Sequence, residues 1–338
     1  MKRQSLAARW RAYWFAPAPY LDLAVVRVFA VGIQLFSLWY FDLLGSVTER
    51  AALPDHHWVP LIILKVINLP FGWGYRPPLE WLTSLHDVAI VAGILALVGL
   101  ATNLSLAVFA FACVYLQAYA YSFSDWHHPE AITMVALSVL AISPSGRVLS
   151  IDALIRWLRG GERLSPLCAS SPFAGWPIKL LQWFFVLMYL SAVTMKLRTG
   201  GLDWANGFTL QYYLIQDGLR WNSLLGLWLA QHYWLIVITQ IGVELFQATF
   251  ALAVLFPRLH FIYVPAGLTL HTGIYLALKA PFFSWLALYS VFIPWTAALR
   301  LLSRRYARAA LADASRQPAR ATAEPSSPAL DGGSGRRI

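Results

Sequence analysis

Charge is the scarce ingredient of this sequence. Asp, Glu, Lys and Arg make up 12% of its 338 residues, about half the share of a soluble domain, and the shortage excludes a freely soluble globular protein. Cysteine is scarcer still. Cys113 falls inside an apolar run and Cys168 in a polar loop, which argues against a disulfide framework and against a cysteine-held metal cluster. His-Glu-x-x-His and paired-histidine helix spacings are missing, so no metal is expected. Neither an inverted repeat nor a pair of broken helices is legible, which disfavours a small-solute transporter.

What is present is apolar. Hydrophobic residues reach 59% and the mean hydropathy is +0.57, values of an integral membrane protein. The 16 Trp residues suit aromatic belts at both membrane faces. A net charge of +10 suggests nucleic acid at first, but the basic residues gather where cytoplasmic loops would lie. That placement fits membrane topology and anionic membrane lipid instead, with no nucleic-acid partner.

Read in order, the chain gives an all-α, polytopic transmembrane bundle of about eight spans. The expected spans cover residues 21–44, 82–100, 104–123, 131–142, 176–197, 233–256, 261–278 and 282–302. Residues 45–80 read as an external loop dipping into the interface. A short helix follows Ser150, its cap, with Ile151, Leu154, Ile155 and Leu158 on one face and Arg156 and Arg159 turned to lipid phosphates. Residues 202–232 are too polar to cross and are expected to roof the fifth span. Residues 1–302 thus form the membrane domain, and 303–338 a disordered basic tail. The positive-inside bias puts both termini in the cytoplasm. Compact loops and an Ala/Arg-rich tail have the style of a bacterial plasma-membrane protein.

The stretch around which the rest is arranged runs through the fifth span. Lys196 lies on its last turn, followed by Gly200-Gly201, Asp203-Trp204 and Gly207. A lysine at the edge of hydrocarbon is desolvated and becomes available as a base; the competing reading is a side chain snorkelling to the headgroups. Ionisable groups inside spans mark candidate sites. Arg27, Glu244 and His271 qualify, while Trp126, His127 and His128 lie in an outer loop. Each also has a structural reading: Arg27 paired with Glu244, His271 as a hydrogen-bonded packing residue, Asp203 as a helix cap, His127 and His128 as interfacial residues.

Lys196-Leu197 followed by Asp203-Trp204-x-x-Gly207 resembles the K-L-x-x-D-W-x-x-G signature of the HTTM domain family, the membrane domain of vitamin K-dependent gamma-glutamyl carboxylase and its bacterial relatives. Leu23-Ala24-Val25-Val26-Arg27-Val28-Phe29, the His127-His128 pair, Leu149-Ser150-Ile151-Asp152-Ala153 and His271 match further pieces in order. Together these cover roughly residues 15–302. The resemblance implies that Lys196 deprotonates reduced vitamin K or a related quinone, with His128 assisting. Oxygen then turns that anion into a stronger base, which opens a glutamate carbon to CO2. Trp126, His127, Asp203, Trp204, Glu244 and His271 would surround the quinone, with Gly207 and Arg27 structural. Two departures stand out. His128 is followed by Pro129-Glu130 rather than an apolar residue, and Arg198-Thr199-Gly200-Gly201-Leu202 lengthens the lysine motif. The carboxylase's large lumenal part has no counterpart after residue 302, so a partner protein is expected to supply it. The alternative from a different class is a non-catalytic membrane module that binds lipid or a partner protein.

Overall fold

Hydrocarbon offers backbone N–H and C=O groups no partners, so long apolar runs satisfy them internally as helices. The computed structural model describes residues 5–123, 130–160 and 168–303, and those residues are predominantly helical. The first half holds α1 (Leu6–Trp14), α2 (Tyr20–Tyr40), α3 (Leu43–Ala51), α4 (Ile62–Ile67), α5 (Leu79–Val98), α6 (Thr102–Tyr121), α7 (Ala131–Ala141) and α8 (Ile151–Leu158). The second holds α9 (Pro172–Gly200), α10 (Phe208–Arg220), α11 (Leu224–Ala230), α12 (Tyr233–Thr249), α13 (Ala251–Leu255), α14 (His260–Leu278) and α15 (Phe283–Leu288). One antiparallel pair, Ala18–Pro19 with Ser170–Ser171, is the exception to an all-α fold. The chain divides into two units, Met1–Thr296 and Ala297–Ile338. The tail expected over 303–338 lies outside the described residues from 304 onward.

Among the described residues, six helices are long and apolar enough to cross a bilayer. The expected fourth span is not among them. Eleven residues of α7 rise only about 16 Å, half of a hydrocarbon core. The expected eighth span is interrupted, because α15 runs into a tight 3-10 stretch, Tyr289–Phe292, and Pro294 stops it before a new helix starts at Trp295. Proline lacks the N–H that an uninterrupted helix needs there. The first span also ends early. Asp42 takes a left-handed conformation (φ 44°), its carboxylate accepts the Gly45 N–H at 3.1 Å, and the following residues belong to α3.

Between the first two spans, Arg76 ties the chain together by donating to the carbonyls of Arg50, Ala51 and Leu53 and to Asp55, at 2.7–3.0 Å. The expected roof over 202–232 consists of α10 and α11. Gly99 (φ 73°) and Ala101 (φ 47°) turn α5 tightly into α6, its packing partner. The centre of the core is aromatic: Phe185, Tyr189, Phe250, Trp285, Tyr289 and Phe292 pack with ring centroids 4.7–6.4 Å apart. Burial is uneven. The hydrophobic window of α6 is 61% buried, those of α12 and α14 only 17% and 22%. The latter two therefore expose apolar flanks such as Ile238, Leu245, Phe261 and Ile262, and they build one side of the site.

Arg27 does not pair with Glu244. It is fully buried in α2, and its guanidinium donates to the backbone carbonyls of Ser145, at 2.9 Å, and of Leu149. Five donors in a rigid fork suit a turn whose carbonyls converge, which a single carboxylate on a distant helix would not use as well. Asp152 supplies the nearby negative charge. Its carboxylate also accepts from the Ala101 and Thr102 N–H groups, both at 2.8 Å, and from the Thr102 hydroxyl at 2.7 Å. Ser150 caps α8 as expected, its Oγ accepting the Ala153 N–H at 3.0 Å. The stretch Leu149–Ala153 is thus a structural lock between α2, the turn into α6, and α8.

Candidate functional site

The last turn of α9 carries Lys196, and the chain beyond it is bent back over that turn. Gly201 (φ 56°) ends the helix, and residues Gly201–Asn206 form a 3-10 segment. Trp204 from this segment comes to lie with its ring centroid 5.8 Å from Lys196 Nζ, within cation–π range. Only glycine at 200 allows the fold-back, because a Cβ there would sit 2.4 Å from the indole. Gly207 (φ 87°) then starts α10 in a left-handed conformation, and a Cβ on it would stand 2.7 Å from Val237 of α12. Asp203 in this segment is exposed. Helix α10 is capped instead by Asn206, whose Oδ1 accepts the Phe208 N–H at 3.0 Å.

Lys196 faces α12. Its ammonium donates to Gln247 Oε1 at 3.0 Å, and Glu244 lies within Coulombic reach. Gln240, Glu244 and Gln247 recur at i, i+4 and i+7, which puts them on one face of that helix. The neighbouring face of α12, through Ile236, Thr239, Gln240, Val243 and Phe246, lines with α9, α10, α11 and α14 an open cavity of about 620 Å³; Glu244 and Gln247 are not on its wall. Its walls are apolar (Leu210, Leu214, Ile236, Val243, Phe246 and Ile274 among them), and among the described residues Lys196 is the one charged side chain lining it. Gly242 and Gly273 open onto space where a Cβ would meet nothing within 4 Å. A largely apolar pocket of this size with few polar groups is the usual form of a small-molecule site.

The structure therefore brings together Lys196, Trp204 and Glu244 from the sequence expectation, and it leaves others apart. His271 is on α14 but not on the cavity wall. It is buried (4% exposed), its Nε2 is 2.8 Å from the Tyr189 hydroxyl, and that hydroxyl is 2.5 Å from the hydroxyl of Tyr289. It is a hydrogen-bonded packing residue within the aromatic core. Arg27 is in the lock described above, and Asp203 is exposed and not on the cavity wall. Trp126, His127 and His128 lie outside the described residues. Gln240 and Gln247 were missing from the candidate residues. Their four- and three-residue spacing around Glu244 was the available signal, since a polar stripe on an apolar span needs a partner.

The fold and site define a class: an α-helical bundle of membrane-spanning type holding a ligand-sized apolar cavity that carries one amine. Compared with protein-family models, with curated proteins and with solved structures, the chain matches none.

Proposed function

We propose that this is an HTTM-type membrane protein whose cavity takes a lipid-borne quinone in reduced form, with Lys196 as the base that removes a proton from it at the outer face of the membrane. The observation that carries the reading is one amine on the wall of an otherwise apolar 620 Å³ cavity, a volume that suits a fused aromatic ring and the start of its prenyl tail. The exposed apolar flanks of α12 and α14 give a bilayer-soluble ligand a surface to approach. Gln247 holds Nζ in place, Glu244 stabilises the ammonium formed when the proton arrives, and Trp204 covers the amine. A bound reduced quinone would supply, with O2, the strong base that carboxylation by CO2 requires. His128 would assist from the outer loop, and a partner protein would bring a glutamate-bearing substrate.

The test is turnover by the purified full chain with a panel of reduced quinones. Lys196→Met should abolish epoxidation or labelled-CO2 uptake while the protein stays folded. Lys196→Arg should do the same, because a guanidinium does not release its proton. Full turnover by the arginine variant rejects the base assignment. A folded wild type that turns over no quinone points to the non-catalytic lipid- or partner-binding module.

A further inference from the structure

Helix α8 fastens its polar side to the protein and leaves its apolar side out. Asp152 accepts from the Ala101 and Thr102 N–H groups, and Arg156 Nη2 donates to the carbonyls of Gly146, at 3.0 Å, and Arg147, at 3.3 Å. Ile151, Leu154 and Leu158 share another face and are 36%, 46% and 66% exposed. In water that arrangement would be inside out, because an amphipathic helix turns its apolar stripe to the core. The helix is held at the turn between α5 and α6, where two spans end. Its apolar face is therefore placed to enter the edge of the hydrocarbon. Beside it lies a pocket of about 380 Å³, which shares no lining residue with the cavity that holds Lys196.

We propose that this pocket seats the phosphate of an anionic phospholipid, with Arg156 donating to it and the acyl chains lying along Ile142 and Phe173. Arg147 and Arg156 line the pocket, and so do Ile142 and Phe173, which are 74% and 66% exposed. Arg156 uses only Nη2 on the turn; Nε and Nη1 donate to no described residue. A guanidinium with free donors in a fixed fork is the side chain best suited to phosphate oxygens. Asp152 also lines the pocket. Its oxygens already accept three hydrogen bonds at 2.7–2.8 Å, so it offers little to a cation. A choline headgroup would bring a positive charge against two arginines, which favours a headgroup of net negative charge. The apolar side chains beside the arginines, and the exposed apolar face of α8 at the same end of the bundle, point to a lipid rather than to free phosphate.

The experiment titrates palmitoyl-oleoyl phosphatidylglycerol, or the phosphatidylcholine with the same chains, into the full chain in detergent and counts bound lipid by native mass spectrometry. Wild type should hold phosphatidylglycerol about tenfold more tightly, the worth of one charge-assisted hydrogen bond at a half-buried site. Arg156→Gln should level that preference. Arg156 also braces the turn, so a second variant is read beside it. Ile142→Gln changes an exposed side chain, should fold as wild type, and should weaken both lipids about tenfold by removing apolar contact with the chains. Inorganic phosphate, the third arm, should not displace the lipid, because it lacks those chains. Equal binding of the two lipids by wild type overturns the proposal, and so does an Arg156→Gln protein that keeps the preference. Full affinity in Ile142→Gln, or displacement by inorganic phosphate, also overturns it, since the pocket would then be a site for free anions.

Discussion

Replacing Arg27 by methionine tests the lock that holds one end of the bundle together. Methionine keeps much of the length and the apolar contacts of the arginine stem, so the change isolates the guanidinium. Two acceptors lose their donor, the carbonyls of Ser145 and Leu149. Ser145 is fully buried, whereas the contact with Leu149 is half-buried. An unpaired buried acceptor costs ~1–3 kcal/mol, a partly wet one less, so the loss sums to ~2–4 kcal/mol. Removing the charge also ends its attraction to Asp152. Against this stands the relief of an unpartnered buried Nε, which keeps the net figure toward the lower end. The assay is reversible unfolding in mixed micelles with rising SDS, followed by tryptophan fluorescence. Double-mutant cycles supply the sharper readout. Arg27→Met with Asp152→Asn should couple by about 0.5 kcal/mol or more, while Arg27→Met with Glu244→Gln should add within about 0.3–0.5 kcal/mol. A methionine variant as stable as wild type would refute the lock, and coupling to Glu244 would restore the ion pair that the geometry replaces.

Further expectations concern the site and its supports. Gly273→Leu places a side chain in open cavity space and should abolish quinone binding in a titration without lowering the melting temperature. Gly207→Ala forces a left-handed φ on alanine and drives its Cβ against Val237; it should cost ~1–3 kcal/mol in the same SDS assay. Tyr189→Phe strips the hydroxyl shared by His271 and Tyr289, so a loss of ~1–3 kcal/mol is expected with ligand affinity unchanged. Burial alone would raise the pKa of Asp152, but the Thr102 hydroxyl, the Thr102 and Ala101 N–H groups and Arg156 outweigh it and hold the carboxyl below its usual range. With a folded value below the unfolded one, its stabilisation is present above about pH 4 and fades as pH falls through the folded value. Asp152→Asn should flatten that acid limb of the unfolding midpoint; an unchanged limb would reject the assignment.

Much of the fold was legible because crossing a bilayer writes itself into composition. An apolar run of sufficient length has one viable conformation in hydrocarbon, and the runs from residue 21 to 123 and from 176 to 278 became long helices with boundaries close to those expected. The expectation failed where length and apolarity stopped being decisive. Residues 131–142 are apolar but short, and residues 282–302 contain Pro294, which the hydropathy of the run concealed. Ser150 as a helix cap was readable because capping depends on neighbours three residues away. The partner of Arg27 was not, because backbone carbonyls carry no sequence signature.

The candidate site divides in the same way. The sequence by itself determined a membrane helical protein with a lysine at the end of a span and a glutamate inside a later one, since desolvation makes any such group conspicuous. Only the tertiary structure decided which of these groups meet. It brought Lys196 to Gln247 and Glu244, folded Trp204 over the amine by way of Gly200, and turned Gln240 into the wall of a cavity. It also assigned His271 to the aromatic core and gave Arg27 of α2 the backbone carbonyls of Ser145 and Leu149 as partners. The physical reason is rotation about helix axes: a residue's place along a span follows from counting, but the neighbour it faces depends on how every other helix packs.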